Sequence, residues 1–168
     1  MVDLDVFKSL AGSLVESVAR EGDVERVWAV ADAVFGEAIG HRLFTVLTYD
    51  EPRGEVIRCY SSRPDVYAVQ GSKHMGPTPW GDLLLKQGKP FIGNDDEAIR
   101  WAFPDHEQIM AMGLGSAINL PVRRAGRTLG TLNLLHESGY YRNEHLEIGA
   151  ILAAIVAPLM VPDGSTGD

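Results

Sequence analysis

The chain has 168 residues, 45% of them hydrophobic and 23% charged, which suits one globular domain with a sizeable core. A net charge of −8 at pH 7 argues against nucleic acid or an anionic membrane surface as the main partner. A single cysteine, Cys59, excludes an intramolecular disulfide and the small stapled folds that depend on them.

From Leu4 to Ala19, Leu4, Phe7, Leu10, Ala11, Leu14 and Val18 recur in steps of three and four, the stripe of an amphipathic helix. The acidic start, Asp3 and Asp5, is unlike the basic lead of a signal peptide. Glu21-Gly22-Asp23 breaks the helix, and Asp23 caps a second one running to about Ile39. Strand patterning follows: Arg42 to Asp50 and Glu55 to Ser62 read as an antiparallel pair joined at Pro52-Arg53-Gly54. Arg63 to Pro79 reads as a long polar loop.

Thr78-Pro79-Trp80 opens a helix with Thr78 as N-cap and Pro79 in the first helical position, and Gly88 closes it. Pro90 to Ile92 forms a short strand. Asn94 or Asp95 caps a brief helix, and Asp105 with Gln108 makes a capping-box-like pair for another, ending at Gly113. Ser116 to Arg123 and Thr128 to His136 form the clearest hairpin, with Gly126 free to take positive φ in its turn. An apolar helix from Asn143 to Met160 closes the domain. Its longest apolar run, Ile148 to Val161, falls short of the roughly 20 residues that span a bilayer and is interrupted by Gly149 and Pro158. The cytoplasm is therefore the expected compartment. Residues 1–161 make one domain, and the tail 162–168 is expected to be disordered.

The element order predicts an α+β domain: an antiparallel sheet, terminal helices on one face and the irregular middle over the other. Strand alternation then sorts side chains. Ile118, Leu120, Val122, Leu132 and Leu134 face the helices, whereas Asn119, Thr131 and Asn133 face the irregular segment. Those amides are placed either to orient a polar ligand or to satisfy backbone groups of the overlying loop. On the earlier strand Val56, Arg58, Tyr60 and Ser62 are expected to share a face. There Arg58 would fork a carboxylate or phosphate, or reach solvent, and Tyr60 would supply a flat wall. Lys73, Trp80, Asn94 and Arg100 complete the candidate ligand-binding set. Asp105 reads as an N-cap, and Trp80 and Phe103 serve equally as core plugs.

Catalytic motifs are missing. Gly71-Ser72-Lys73 lacks P-loop spacing, Gly113 to Ala117 is no nucleophile elbow, and consecutive helical residues Asp105-His106-Glu107 diverge by about 100°. The histidines show no metal-ligand spacing.

The run Ser116-Ala117-Ile118-Asn119-Leu120-Pro121-Val122, its turn, and Leu129-Gly130-Thr131-Leu132-Asn133-Leu134 resemble the two late strands of the GAF family. Arg58-Cys59-Tyr60-Ser61-Ser62, and Trp80 opening a helix that leads to Pro90-Phe91, are similar to that family too. The resemblance spans roughly Val24 to Leu159. It implies a GAF-like (profilin-like) sheet of five or six strands, a ligand pocket between sheet and middle segment, and a homodimer through the terminal helices. It implies a small-molecule sensor with no attached output domain and an unidentified ligand; family ligands include cyclic nucleotides, bilins, haem and amino acids. Cys59 in mid-strand does not match the attachment site of bilin binders. The asparagine-lysine-phenylalanine-aspartate-glutamate signature of cyclic-nucleotide binders is absent. One cysteine also cannot serve both roles in sulfoxide-reductase chemistry. A small GAF-scaffold enzyme and a dimerisation scaffold with a vestigial pocket are the alternatives.

Overall fold

A computed structural model describes residues 1–161 of the chain; the tail expected to be disordered lies outside these residues. Helices α1 (Leu4–Arg20) and α2 (Val24–Ala38) come first. Asp3 and Asp23 cap them, each carboxylate accepting from backbone N–H groups of the first turn. Strands β1 (Leu43–Asp50) and β2 (Glu55–Ser61) form the first hairpin. The long loop holds a short edge strand that the sequence pattern does not announce, β3 (Ser72–His74), paired with β2. One helical turn, α3 (Pro79–Gly81), then passes into a π-helical turn at Asp82–Lys86. Next come β4 (Phe91–Gly93), α4 (Asp96–Ala102), α5 (His106–Ala111), the long hairpin β5 (Ser116–Arg124) and β6 (Arg127–His136), and α6 (Asn143–Val156).

The six strands form one antiparallel sheet in the order β3-β2-β1-β6-β5-β4. Its β5–β6 turn has φ +50 at Ala125 and +77 at Gly126, the two positive values of the turn whose twist matches paired strands. The α+β architecture expected from the element order is therefore present, with the upper of the two strand counts.

The sheet's first face carries the main core. Phe44, Val46, Ile118, Leu120, Val122, Leu132 and Leu134 pack against Leu14 of α1, Trp28 and Phe35 of α2, and Leu152 and Val156 of α6. Each such side chain contributes about 1.5–3 kcal/mol when fully buried. Gly149 lets α6 sit low on the sheet, since a Cβ there would lie 2.6 Å from a Leu120 methyl. The segment Asn143–Met160 is long and apolar enough to cross a membrane by length and composition alone. Here it buries Gly149, Leu152, Ala153 and Val156, and its 3₁₀ continuation buries Ala157 and Met160.

Alternation fails at one point of β2. Val46 pairs with Tyr60 but Leu47 pairs with Arg58, so Cys59 is the extra residue of a β-bulge. The bulge moves Tyr60 to the helix face, against the expectation that it shares a face with Val56 and Arg58. There its ring lies 5.9 Å from Phe44, and its hydroxyl donates to Asp32 of α2 at 2.7 Å. His41 holds the other Asp32 oxygen at 2.9 Å. Burial pushes the Asp32 carboxyl up, but these hydrogen bonds outweigh it and leave it below the usual carboxylate range.

The β6–α6 connection is an aromatic stack. Tyr140 lies between His136, at 3.5 Å between ring centroids, and His145, at 5.7 Å, with all three rings nearly parallel. Tyr140 and Tyr141 donate their hydroxyls to Ile39 and Gly40 carbonyls, satisfying the C-terminal end of α2. His136 Nδ1 accepts from Glu137 N–H, and His145 Nδ1 accepts from Arg142 N–H at the start of α6. Both bonds require the neutral ring. Burial lowers both imidazoles below their ordinary 6.5, with Arg42 adding to the effect at His136 and Glu144 opposing it at His145. The unfolded chain therefore binds more protons than the folded one just below pH 6.5. Stability is full above that value and falls as pH drops through it. The urea midpoint should decline from about pH 7.5 to about pH 5.5, and His145→Gln should flatten the decline. A midpoint constant across that window would remove the coupling.

Candidate functional site

The sheet's second face is covered by the segment from β2 to α5. Two small apolar clusters anchor the cover: Tyr67, Ile99 and Ile109 on Leu43, Ala117 and Leu135, and Trp80, Leu84 and Ala102 on Val56. Between them a cavity of about 600 Å³ remains, in the range of small-molecule sites. Its floor comes from β1, β2 and β6: Leu43, Thr45, Leu47, Val56, Arg58, Asn133 and Leu135. Its walls come from the β2–β3 loop and β3, from the start of α3, and from the α4–α5 junction.

A row of polar groups crosses this face in register. Thr45, Asn133 and Asn119 are consecutive cross-strand partners on β1, β6 and β5. Trp80 Nε1 donates to Asn119 Oδ1 at 3.0 Å, Asn119 Nδ2 to Asn133 Oδ1 at 2.7 Å, and Asn133 Nδ2 to Thr45 Oγ1 at 3.3 Å. These buried amides are thus satisfied by one another and by the lid indole. Asn133 reaches the cavity, whereas Asn119 lies under Trp80 and does not line it. Thr131, on the same face, is fully buried, its hydroxyl has no partner, and it is not part of the cavity wall.

Of the other candidates, Arg58, Lys73 and Trp80 line the cavity. Tyr60 is displaced to the opposite face by the bulge. Asn94 is a clamp on the β6–α6 connection, its Nδ2 donating to Tyr141 O and its Oδ1 accepting from Tyr141 N–H. Arg100 is exposed on α4 and away from the cavity.

Sequence reasoning did not place Thr45, Tyr67 or Gln108 here. Thr45 was open to the alternation used for the late strands; Tyr67 and Gln108 reach the cavity only through the path of the lid. Asp105 holds the N-cap position of α5, but its side chain makes no capping bond. It turns to accept the Tyr67 hydroxyl at 2.8 Å. Arg58 lies over the face of the same tyrosine, 5.0 Å from the ring centroid. Burial, with Asp105 beside it, raises the Tyr67 phenol well above its usual range, so it stays a donor.

Thiol chemistry has little footing. Cys59 belongs to the edge of the helix-side core, and burial pushes it up to about 11, which keeps it protonated at neutral pH. Among the described residues no group of three or more His, Cys, Asp or Glu side chains is arranged to hold a metal.

A six-stranded antiparallel sheet, helices on one face and a lidded cavity on the other define an α+β domain built around a pocket. The GAF-domain family model matches residues 24–161, and the chain belongs to the GAF family of small-molecule-binding sensor domains. No curated protein matches it in sequence. Solved structures with the same fold include the GAF domain of an Acinetobacter phosphoenolpyruvate-protein phosphotransferase (TM-score 0.76, 12% identity, 100% of this chain and 99% of that one). The corresponding GAF domain from Coxiella burnetii gives a TM-score of 0.74 at 16% identity, covering 95% of each chain. Free methionine-R-sulfoxide reductase from Neisseria meningitidis, solved with its substrate, gives 0.64 at 18% identity, covering 95% of this chain and 92% of that one.

Replacing Trp80 by Phe should lower stability by about 1–3 kcal/mol, because Asn119 Oδ1 loses its donor in a buried site. A urea titration should show an earlier midpoint with an unchanged slope; an unchanged midpoint would mean the relay does not anchor the lid.

Proposed function

We propose that the chain is a cytoplasmic sensor that binds a small molecule in the cavity between the sheet and its lid, without turning it over. The observation that carries this reading is the cavity itself, about 600 Å³, whose floor sets a few polar groups among apolar ones. Binding there touches β3, the β2–β3 loop, α3 and the α4–α5 junction at once, so occupancy would order the lid. Thiol chemistry has no support in this cavity, since Cys59 is pushed up to about 11 and does not line it. Arg58, Lys73, Trp80 and Asn133 are the proposed contacts.

Native mass spectrometry on gently purified protein, followed by release of any adduct, is the test. A one-to-one adduct lost in an Asn133→Leu variant that still folds is expected. The isolated ligand should raise the Tm of the wild type, as anything binding only the folded state does. An adduct retained in the variant would move binding away from this cavity.

The second part of the proposal is a homodimer through the terminal helices. Leu4 and Val15 on α1 and Ile151 on α6 remain 64%, 51% and 52% exposed, an apolar surface that a second copy would cover. Light scattering at micromolar concentration should give twice the chain mass. A monomer mass would remove the dimer.

A further inference from the structure

The cavity is electrically one-sided in a chain that is acidic overall. Two of its lining residues, Arg58 and Lys73, are cationic side chains, against one carboxylate, Asp105. Among the described residues neither Arg58 nor Lys73 is within salt-bridge distance of any acidic side chain. Seven other arginines pair with carboxylates, whereas, among the described residues, Arg100 and Arg124 at the surface and Arg123 beside the β5–β6 turn do not. Arg63 grips Asp65 side-on, through Nε at 3.0 Å and a terminal nitrogen at 2.9 Å.

Arg58 is held in a different way. Its Nη1 makes a long bond of 3.3 Å to Ala68 O, and its guanidinium carbon lies 5.0 Å from the centroid of the Tyr67 ring, over its face. Its Nε is buried and meets no acceptor. Stacking on a ring occupies the face of a guanidinium and leaves its in-plane donors for an acid group. Nη2, which makes no hydrogen bond among the described residues and is not buried, is the donor that an acid group entering the cavity can meet. Tyr67 supports the guanidinium with its ring and Asp105 with its hydroxyl, so one side chain joins Arg58 to both lid segments.

We infer that the ligand of this cavity is a small organic anion whose acid group is taken by Arg58, with Lys73 at the rim and the apolar body lying against Trp80, Phe103 and Leu47. This rests on the binding reading above and adds the class of ligand to it. A carboxylate and a phosphate monoester share the required chemistry. The apolar and aromatic walls select an acid with an unsaturated or hydrocarbon body over a bare inorganic ion.

Two fluorescent probes of similar shape separate charge from burial. One is the anionic 1-anilinonaphthalene-8-sulfonate; the other is neutral N-phenyl-1-naphthylamine. Wild type is expected to bind one of each per folded chain. Arg58→Gln should weaken the anionic probe about 10–100-fold, the worth of a charge-assisted hydrogen bond, and leave the neutral one within about twofold. Arg58→Lys, which keeps charge but loses the fork, should fall between. Equal effects on both probes, or none on the anionic one, would overturn the anion assignment while neutral binding keeps the cavity reading. Failure of both probes in wild type would sink the cavity reading together with the assignment. Competition with benzoate and with phenyl phosphate distinguishes the acid: the better displacer of the anionic probe names the group. Displacement by neither would also overturn the assignment.

Discussion

Asn119 and Asn133 face each other across the β5–β6 hairpin, in surroundings where an unpaired amide costs several kcal/mol in transfer out of water. A row of hydrogen bonds on that side of the sheet meets this demand. Asn133 donates to Thr45, Asn119 donates to Asn133, and the remaining acceptor on Asn119 is met by the Trp80 indole. That last bond reaches out of the sheet and into the lid. It fixes the start of α3 over β5, and the chain between Ser72 and Asp105 then wraps a space that the sheet floor does not fill.

The two faces follow different physics as a result. On the helix side the sheet presents mostly apolar groups, and apart from the Tyr60–Asp32 hydrogen bond packing against three helices is non-directional burial. On the lid side two smaller apolar clusters hold the ends, and a directional polar row spans the middle. A directional anchor leaves room beside it, whereas close packing would not. The cavity and its uncompensated basic groups belong to that second regime.

Asn94 and the two tyrosines join the faces at the far end. Asn94 clamps the Tyr141 backbone on the lid side, and Tyr141 passes its hydroxyl to Gly40 at the end of α2. Tyr140 does the same for Ile39 while lying between two imidazoles held neutral. The connection from the sheet into α6 is therefore where proton binding meets the geometry of the terminal helices. The surface exposed on α1 and α6 lies beyond that junction.

The fold class, most element boundaries and the face of each late-strand residue were legible because they depend on local periodicity. Ile118 to Val122 and Gly130 to Leu134 alternate without interruption, and Asp23, Thr78 and Asp95 sit where a cap needs a short acceptor. The candidate site was legible only in part, for the same reason. Arg58, Lys73, Trp80 and Asn133 line the cavity, but one extra residue at Cys59 puts Tyr60 on the other face, since a bulge is set by pairing with β1 and leaves no period of its own. Asp105 looked like a cap by sequence spacing. Its real partner, Tyr67, is 38 residues away and became available only when the lid folded back over the sheet. Local chemistry thus determined which elements form and which way they face. Long-range contact decided which polar groups are used up in holding the fold and which, like Arg58, are left facing a cavity.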